Sequence, residues 1–250
     1  MLHRILPFWS FLVAAAIAFV FIAINASVYR ALAMHRFLYP ETHFQHPPTV
    51  SGALRDPTIG EPFGFWVGIS ALVLALAILP VAGLHYRALR HLSVDPRRRM
   101  QRVTWLAHVA LLGQMVASLG VVLLSQFRFP DHTEEHIFGS YLFFIGQAAA
   151  VGFSMIVMVL LRRRFGTNQK DWRAAGLSRR MSGVRVFLGS IAILLALAFV
   201  GLFAARNFQL DDGTLPVRPY YVLAEPALIN LYLCYLLTFA ADVCGLRGKV

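Results

Sequence analysis

Residues 125–144 read SQFRFPDHTEEHIFGSYLFF. Apolar runs flank the polar centre of this stretch, Val103–Leu124 before it and Ile137–Leu161 after it. Pro130, Asp131, His132, Glu134, Glu135 and His136 gather between them in a short turn. Two apolar runs of about 20 residues joined in this way predict two membrane-spanning helices and a tight loop. The turn is rich in titratable groups and has no basic cluster, unlike the arginine-rich loops elsewhere.

The pattern repeats along the chain. Further apolar runs cover Ile5–Ser27, Phe63–Leu84, Val186–Ala205 and Tyr220–Ala241. The first has a basic flank like a signal peptide but is long and lacks a small-residue cleavage site, so it reads as a retained span. The 250 residues are 58% hydrophobic and only 14% charged, whereas soluble domains carry about 25% charge. The expectation is an all-α, six-helix transmembrane bundle forming one domain over residues 1–250.

The net charge of +11 raises nucleic acid as a partner. It is set aside because the arginines lie in loops beside spanning runs, as inner-leaflet loops do. One such loop carries Arg97, Arg98, Arg99 and Arg102; the other runs from Arg162, Arg163 and Arg164 to Arg185. Both are topology determinants and candidate contacts for anionic inner-leaflet lipids. By the positive-inside rule both termini and both loops are expected in the cytosol. The long first loop, the 131–136 turn and the loop carrying Asp211 and Asp212 then share the extracytosolic face.

Tyr29–Pro62 is long for a connection, and its prolines argue against a regular helix through it. Its aromatics, Phe37, Tyr39 and Phe44, argue for packing against the bundle rather than disorder. Cys234 and Cys244 stand roughly 15 Å apart along one helix, too far for a disulfide. No metal-ligand spacing and no cofactor motif occurs.

The titratable residues carry two readings each. His136 is either a general base or donor to a lipid phosphate or carbonyl, tuned by Glu134, Glu135 or His132, or a helix-start residue bonded to the first loop. His136, His132, Glu225, His108 and Arg128 are the candidate lipid contacts. His108, an ionisable group inside a span, is either functional or bonded to a neighbouring helix. Gln114 is expected to be interhelical glue. Glu225 and Ser51 share the predicted face of His136, so the three form either a nucleophile, base and orienter or a polar network holding the first loop. Asp242 is expected to pair with Arg102 or Arg185. Glycines in the third and fourth segments are expected at helix contacts.

Four stretches taken together resemble the DRAM/Sfk/Frag family, which includes the CWH-type N-terminal domain and factors of GPI-anchor lipid remodelling. SQFRFPDHTEEHIFGSYLFFIGQ (125–147) is similar to its "FQ…H..GA..FF" signature, with Gly139–Ser140 at the "GA". PTVSGALRDPTIGEPFGFWVGIS (48–70) resembles its first luminal loop, and Phe63–Leu84 running into HYRAL its second helix. LAEPALINLYLCYLLTFAADVCGL (223–246) resembles its last helix, with Asp242–Val243 at the closing "DF". The resemblance covers nearly the whole chain and implies lipid handling: anchor remodelling, phospholipid distribution, phosphoinositide signalling or autophagy, depending on the branch. The long aromatic-rich loop and the polar groups converging on one face without a complete catalytic set favour a non-catalytic or accessory protein; the alternative is an enzyme transferring an acyl or ceramide group. The Ala- and Arg-rich composition suits a GC-rich bacterial genome. The expected membrane is then the inner membrane, and otherwise that of the Golgi, lysosome or cell surface.

Overall fold

The computed structural model describes residues 2–92, 99–128, 130–207 and 217–245. Six long helices carry the fold: α1 (Leu2–Leu38), α4 (Pro57–Leu92), α5 (Arg99–Gln126), α6 (Thr133–Phe165), α8 (Arg179–Asn207) and α9 (Val217–Gly245). Three short ones, α2 (Pro40–Gln45), α3 (Val50–Ala53) and α7 (Gln169–Ala174), lie in the connections. No strand is present among the described residues. All six long helices are long and apolar enough to cross a membrane.

The helices overrun the predicted spans at both ends. At 37 residues, α1 is about 55 Å long, well beyond a hydrocarbon core of about 30 Å. The first connection is the main correction. It was expected to be non-helical from Tyr29, yet α1 continues to Leu38 and α4 already starts at Pro57. The prolines explain this: Pro40 and Pro57 open helices, where the missing N–H costs nothing. Pro62 sits inside α4 near its start, and Pro80 lies within α4 without ending it.

Successive contacts α1–α4–α5–α6–α8–α9–α1 close the six helices into a ring, the α5–α6 pair making the most extensive contact. The outward faces present Leu76, Leu112, Ile145, Phe187, Leu194 and Leu197, all exposed. Such a continuous apolar coat suits lipid tails and not water. The inward faces form one core from Ile17, Val20, Ile59, Leu228 and Tyr232, with a second around Trp172 on α7. The end holding α2, α3 and the 127–132 turn is here called the first-loop end. The other is the basic end, where Arg163, Arg164, Arg173 and Arg180 are exposed. Arg97, Arg98 and the loop with Asp211 and Asp212 lie outside the described residues, as do the side chains of Arg99 and Arg102.

A polar clasp ties the first connection to α4. Asp56 accepts from the Thr58 backbone N–H at 2.8 Å and from the Tyr39 hydroxyl at 2.7 Å. The Tyr39 hydroxyl, then the Thr58 bonds, hold the Asp56 carboxyl below its usual value, while Asp56 raises the Tyr39 phenol above 10. A lowered carboxylate contributes stability above its unfolded value near 3.8 and loses it as pH falls through the folded one. A raised phenol contributes below 10 and loses it as pH rises further. Protease protection of residues 39–56 is therefore expected to be flat between about pH 4 and 10 and to fall outside that window. Asp56→Asn should remove the acid limb; an unchanged limb in limited proteolysis would discard the clasp.

Candidate functional site

The site lies inside the ring at the first-loop end. Glu225 faces inward from the third turn of α9 and is buried. Its Oε2 accepts the Val50 backbone N–H at 2.7 Å, and its Oε1 accepts the Ser51 hydroxyl at 3.3 Å. The carboxylate thereby fastens α3 across the end of the ring. Locally, α3 forms because Thr49 caps it, its Oγ1 accepting from Gly52 N at 3.0 Å. Val50, Ala53 and Leu54 are buried beneath.

His136, in the first turn of α6, is 2% exposed. Its Nδ1 lies 2.7 Å from the Phe127 carbonyl oxygen. A carbonyl only accepts, so Nδ1 carries the proton and Nε2 holds the lone pair in the neutral ring. The bond also ties the α5–α6 turn to α6.

Below Glu225 and His136 a slender apolar cavity of about 70 Å³ descends between the helices, walled by Val67, Val121, Phe143 and Ile229 among others. Gln114, Gln147 and Tyr232 form its deep end and also line a second cavity of about 40 Å³ towards the basic end. That second cavity meets a satisfied relay. His85 Nδ1 lies 3.0 Å from the Val81 carbonyl, so it donates, and Nε2 accepts from Ser154 Oγ at 2.8 Å. Ser154 in turn accepts from the Tyr235 hydroxyl at 2.8 Å.

At the basic end, fully buried Arg185 pairs with Asp242 at 2.6 Å. Its Nε donates to Thr238 Oγ1 at 2.9 Å, Nη2 donates to the Thr238 carbonyl at 2.7 Å, and the guanidinium lies 3.9 Å from the Phe239 ring centre. Asp242 also accepts the Ser178 backbone N–H at 2.9 Å. Of the two expected partners the structure places Arg185 there.

Thus Ser51, Glu225 and His136 line one cavity. The other expected lipid contacts are elsewhere. His132 is the exposed N-cap position of α6, its ring edge-on to Phe127. Arg128 packs over Gly60 of α4, facing an open groove on the outer surface. His108 is exposed near the basic end, against Tyr86, with Nδ1 donating to the Thr104 carbonyl at 2.9 Å. Gln114 was expected as interhelical glue, but its Nε2 finds no acceptor among the described residues. Sequence reasoning passed over Gln147 and Tyr232. Spacing could have found them: Gln147 follows His136 by three turns and Tyr232 follows Glu225 by two, which places each pair on one helix face. Among the described residues no three His, Cys, Asp or Glu side chains gather to hold a metal.

A family model described as the Frag1/DRAM/Sfk1/Cwh43P N-terminal domain matches residues 7–245. No curated protein and no solved structure matches the chain. The match spans nearly the whole sequence, and the chain belongs to this family of multi-pass membrane proteins.

Proposed function

We propose that this Frag1/DRAM/Sfk1/Cwh43P-domain protein binds the polar end of a membrane lipid beneath α3, at the first-loop end, without catalysing its conversion. The first-loop end is then extracytosolic and both termini are cytosolic, in keeping with the exposed arginines of the opposite end. The observation that carries the reading is a buried carboxylate and imidazole at the head of an apolar cavity inside a ring of spanning helices. Intramembrane ionisable groups cost several kcal/mol and mark pathways or binding sites. Ser51 makes a poor nucleophile because its hydroxyl donates to Glu225 and not to an imidazole. At the cytosolic end Arg162, Arg163 and Arg164 offer contacts to anionic lipids, each worth about 1 kcal/mol near the surface.

Glu225→Ala removes two hydrogen bonds to a charged acceptor, one of them to the α3 backbone. Lipid retained through purification, read by native mass spectrometry, should fall about ten-fold. Cleavage within residues 47–56 should rise in parallel. Retention unchanged from the wild type would refute the site. His136→Ala and wild type should show the same absence of lipid turnover in vesicles. Turnover by wild type that His136→Ala abolishes would replace this reading with transfer of an acyl or ceramide group.

A further inference from the structure

The deep end of the cavity holds three side chains that the rim does not need. Gln114 is 4% exposed, Gln147 4% and Tyr232 1%. Gln114 Nε2, Gln147 Oε1 and the Tyr232 hydroxyl have no hydrogen-bond partner among the described residues. A buried polar atom left unmatched costs about 1–3 kcal/mol, and such atoms are rare in folded proteins. The wall of the second cavity offers a sharp contrast: His85, Ser154 and Tyr235 complete one another in the relay above. Three helices therefore each contribute one unmatched, buried polar group to the same pocket.

The chemistry of the three atoms defines what they match. Gln114 offers a donor, Gln147 an acceptor, and Tyr232 either. None carries charge, so neither a phosphate nor an ammonium finds a counter-ion there. A neutral hydroxyl, donor and acceptor at once, satisfies the set. The pocket descends about 16 Å from His136 to Gln147 along α6. Its volume of about 70 Å³ is well under that of a cavity of about 150 Å³ that admits benzene. Only a slender group, a short length of unbranched chain or a small alcohol, suits that volume. Phe63 lines both this cavity and a groove between α1 and α4 on the outer face, so its ring stands between the two.

We infer that Gln114, Gln147 and Tyr232 form a mid-membrane binding site for an uncharged hydroxyl group, carried by an aliphatic chain or by a small free alcohol. The rim could hold a lipid head without these three side chains.

The test uses the purified full chain in detergent with a photoreactive hexadecanol bearing a mid-chain diazirine. It should label peptides from residues 110–121, 143–151 or 229–236, and excess hexadecanol should compete. The variant Gln114→Leu with Tyr232→Phe should lose about ten-fold in labelling, two hydrogen bonds being removed. Its melting temperature should equal or exceed that of wild type, since apolar replacements relieve unmatched groups. Labelling that survives in the variant, maps elsewhere, or is equalled by the matching diazirine-bearing palmitate overturns the site. So does a variant that loses labelling and also melts lower, because the side chains are then structural. Competition by glycerol as strong as by hexadecanol supports the hydroxyl chemistry and assigns it to a small free alcohol.

Discussion

Asp242→Ala is expected to cost about 3–5 kcal/mol, the largest single effect in the molecule. Arg185 would be left as an uncompensated charge with a side chain that exposes 0% of its surface. The two Thr238 hydrogen bonds and the Phe239 ring hold the guanidinium in place, so it cannot swing to water. The Ser178 N–H, at the start of α8, would lose its acceptor as well. A pair of this kind is expensive to break and inexpensive to replace. The double variant Arg185→Met with Asp242→Leu should therefore recover most of the loss. Unfolding in mixed micelles, followed by tryptophan fluorescence, measures all three. A loss under about 1 kcal/mol for Asp242→Ala, or a double variant worse than the single, would show that the pair is not the clamp drawn here.

Gly120→Ala comes next, at about 3 kcal/mol. A Cβ there would overlap the Phe143 amide nitrogen and lie 2.7 Å from the Gly139 carbonyl oxygen. Two turns away, Gly113 and Gly146 face one another in the same way, each with a Cβ that would fall 2.8 Å from the other's carbonyl oxygen. These clashes are with backbone, which cannot rotate aside. Helices in lipid gain little from hydrophobic exclusion, so close backbone approach supplies the contact that holds α5 to α6. Gly201→Ala is the matched control, with nothing within 4 Å of the added carbon. It should be neutral or stabilise slightly, by about 0.5–1 kcal/mol. Equal effects at Gly120 and Gly201 in the same unfolding assay would remove the close-packing account of the α5–α6 seam.

The fold was largely legible because lipid enforces a coarse rule. A run of apolar residues at spanning length has to become a helix, since no other segment satisfies its backbone in a bilayer. Helix ends were less legible. Spanning length reports where hydrocarbon stops and not where hydrogen bonding stops, so α1 and α4 run past their apolar bodies. The prolines at 40 and 57 were read as breakers when they act as starters. Glu225, Ser51 and His136 could be placed on one face from charge and connectivity alone. Their roles could not, because the Val50 N–H that Glu225 holds lies 175 positions away. The Gly60, Gly64 and Gly68 spacing on α4 went unread; Gly64 meets the Ser125 carbonyl, and its own carbonyl accepts from Gln126 at 3.2 Å. Gln147 and Tyr232 were hidden for a different reason. A glutamine or tyrosine in a span usually has a hydrogen-bond partner, and only the packed structure shows that Gln147 Oε1 and the Tyr232 hydroxyl have none among the described residues.

The extracytosolic placing of the proposed lipid site depends on which side of the membrane receives the turn after α5. Thr133 and Thr167 are both exposed, at opposite ends of α6. Each would be changed to cysteine in a chain whose Cys234 and Cys244 are serine, and intact cells treated with a membrane-impermeant maleimide. Labelling of Thr133→Cys with Thr167→Cys protected until the cells are opened is the predicted result. Labelling of Thr167→Cys alone, or of both in sealed cells, contradicts it.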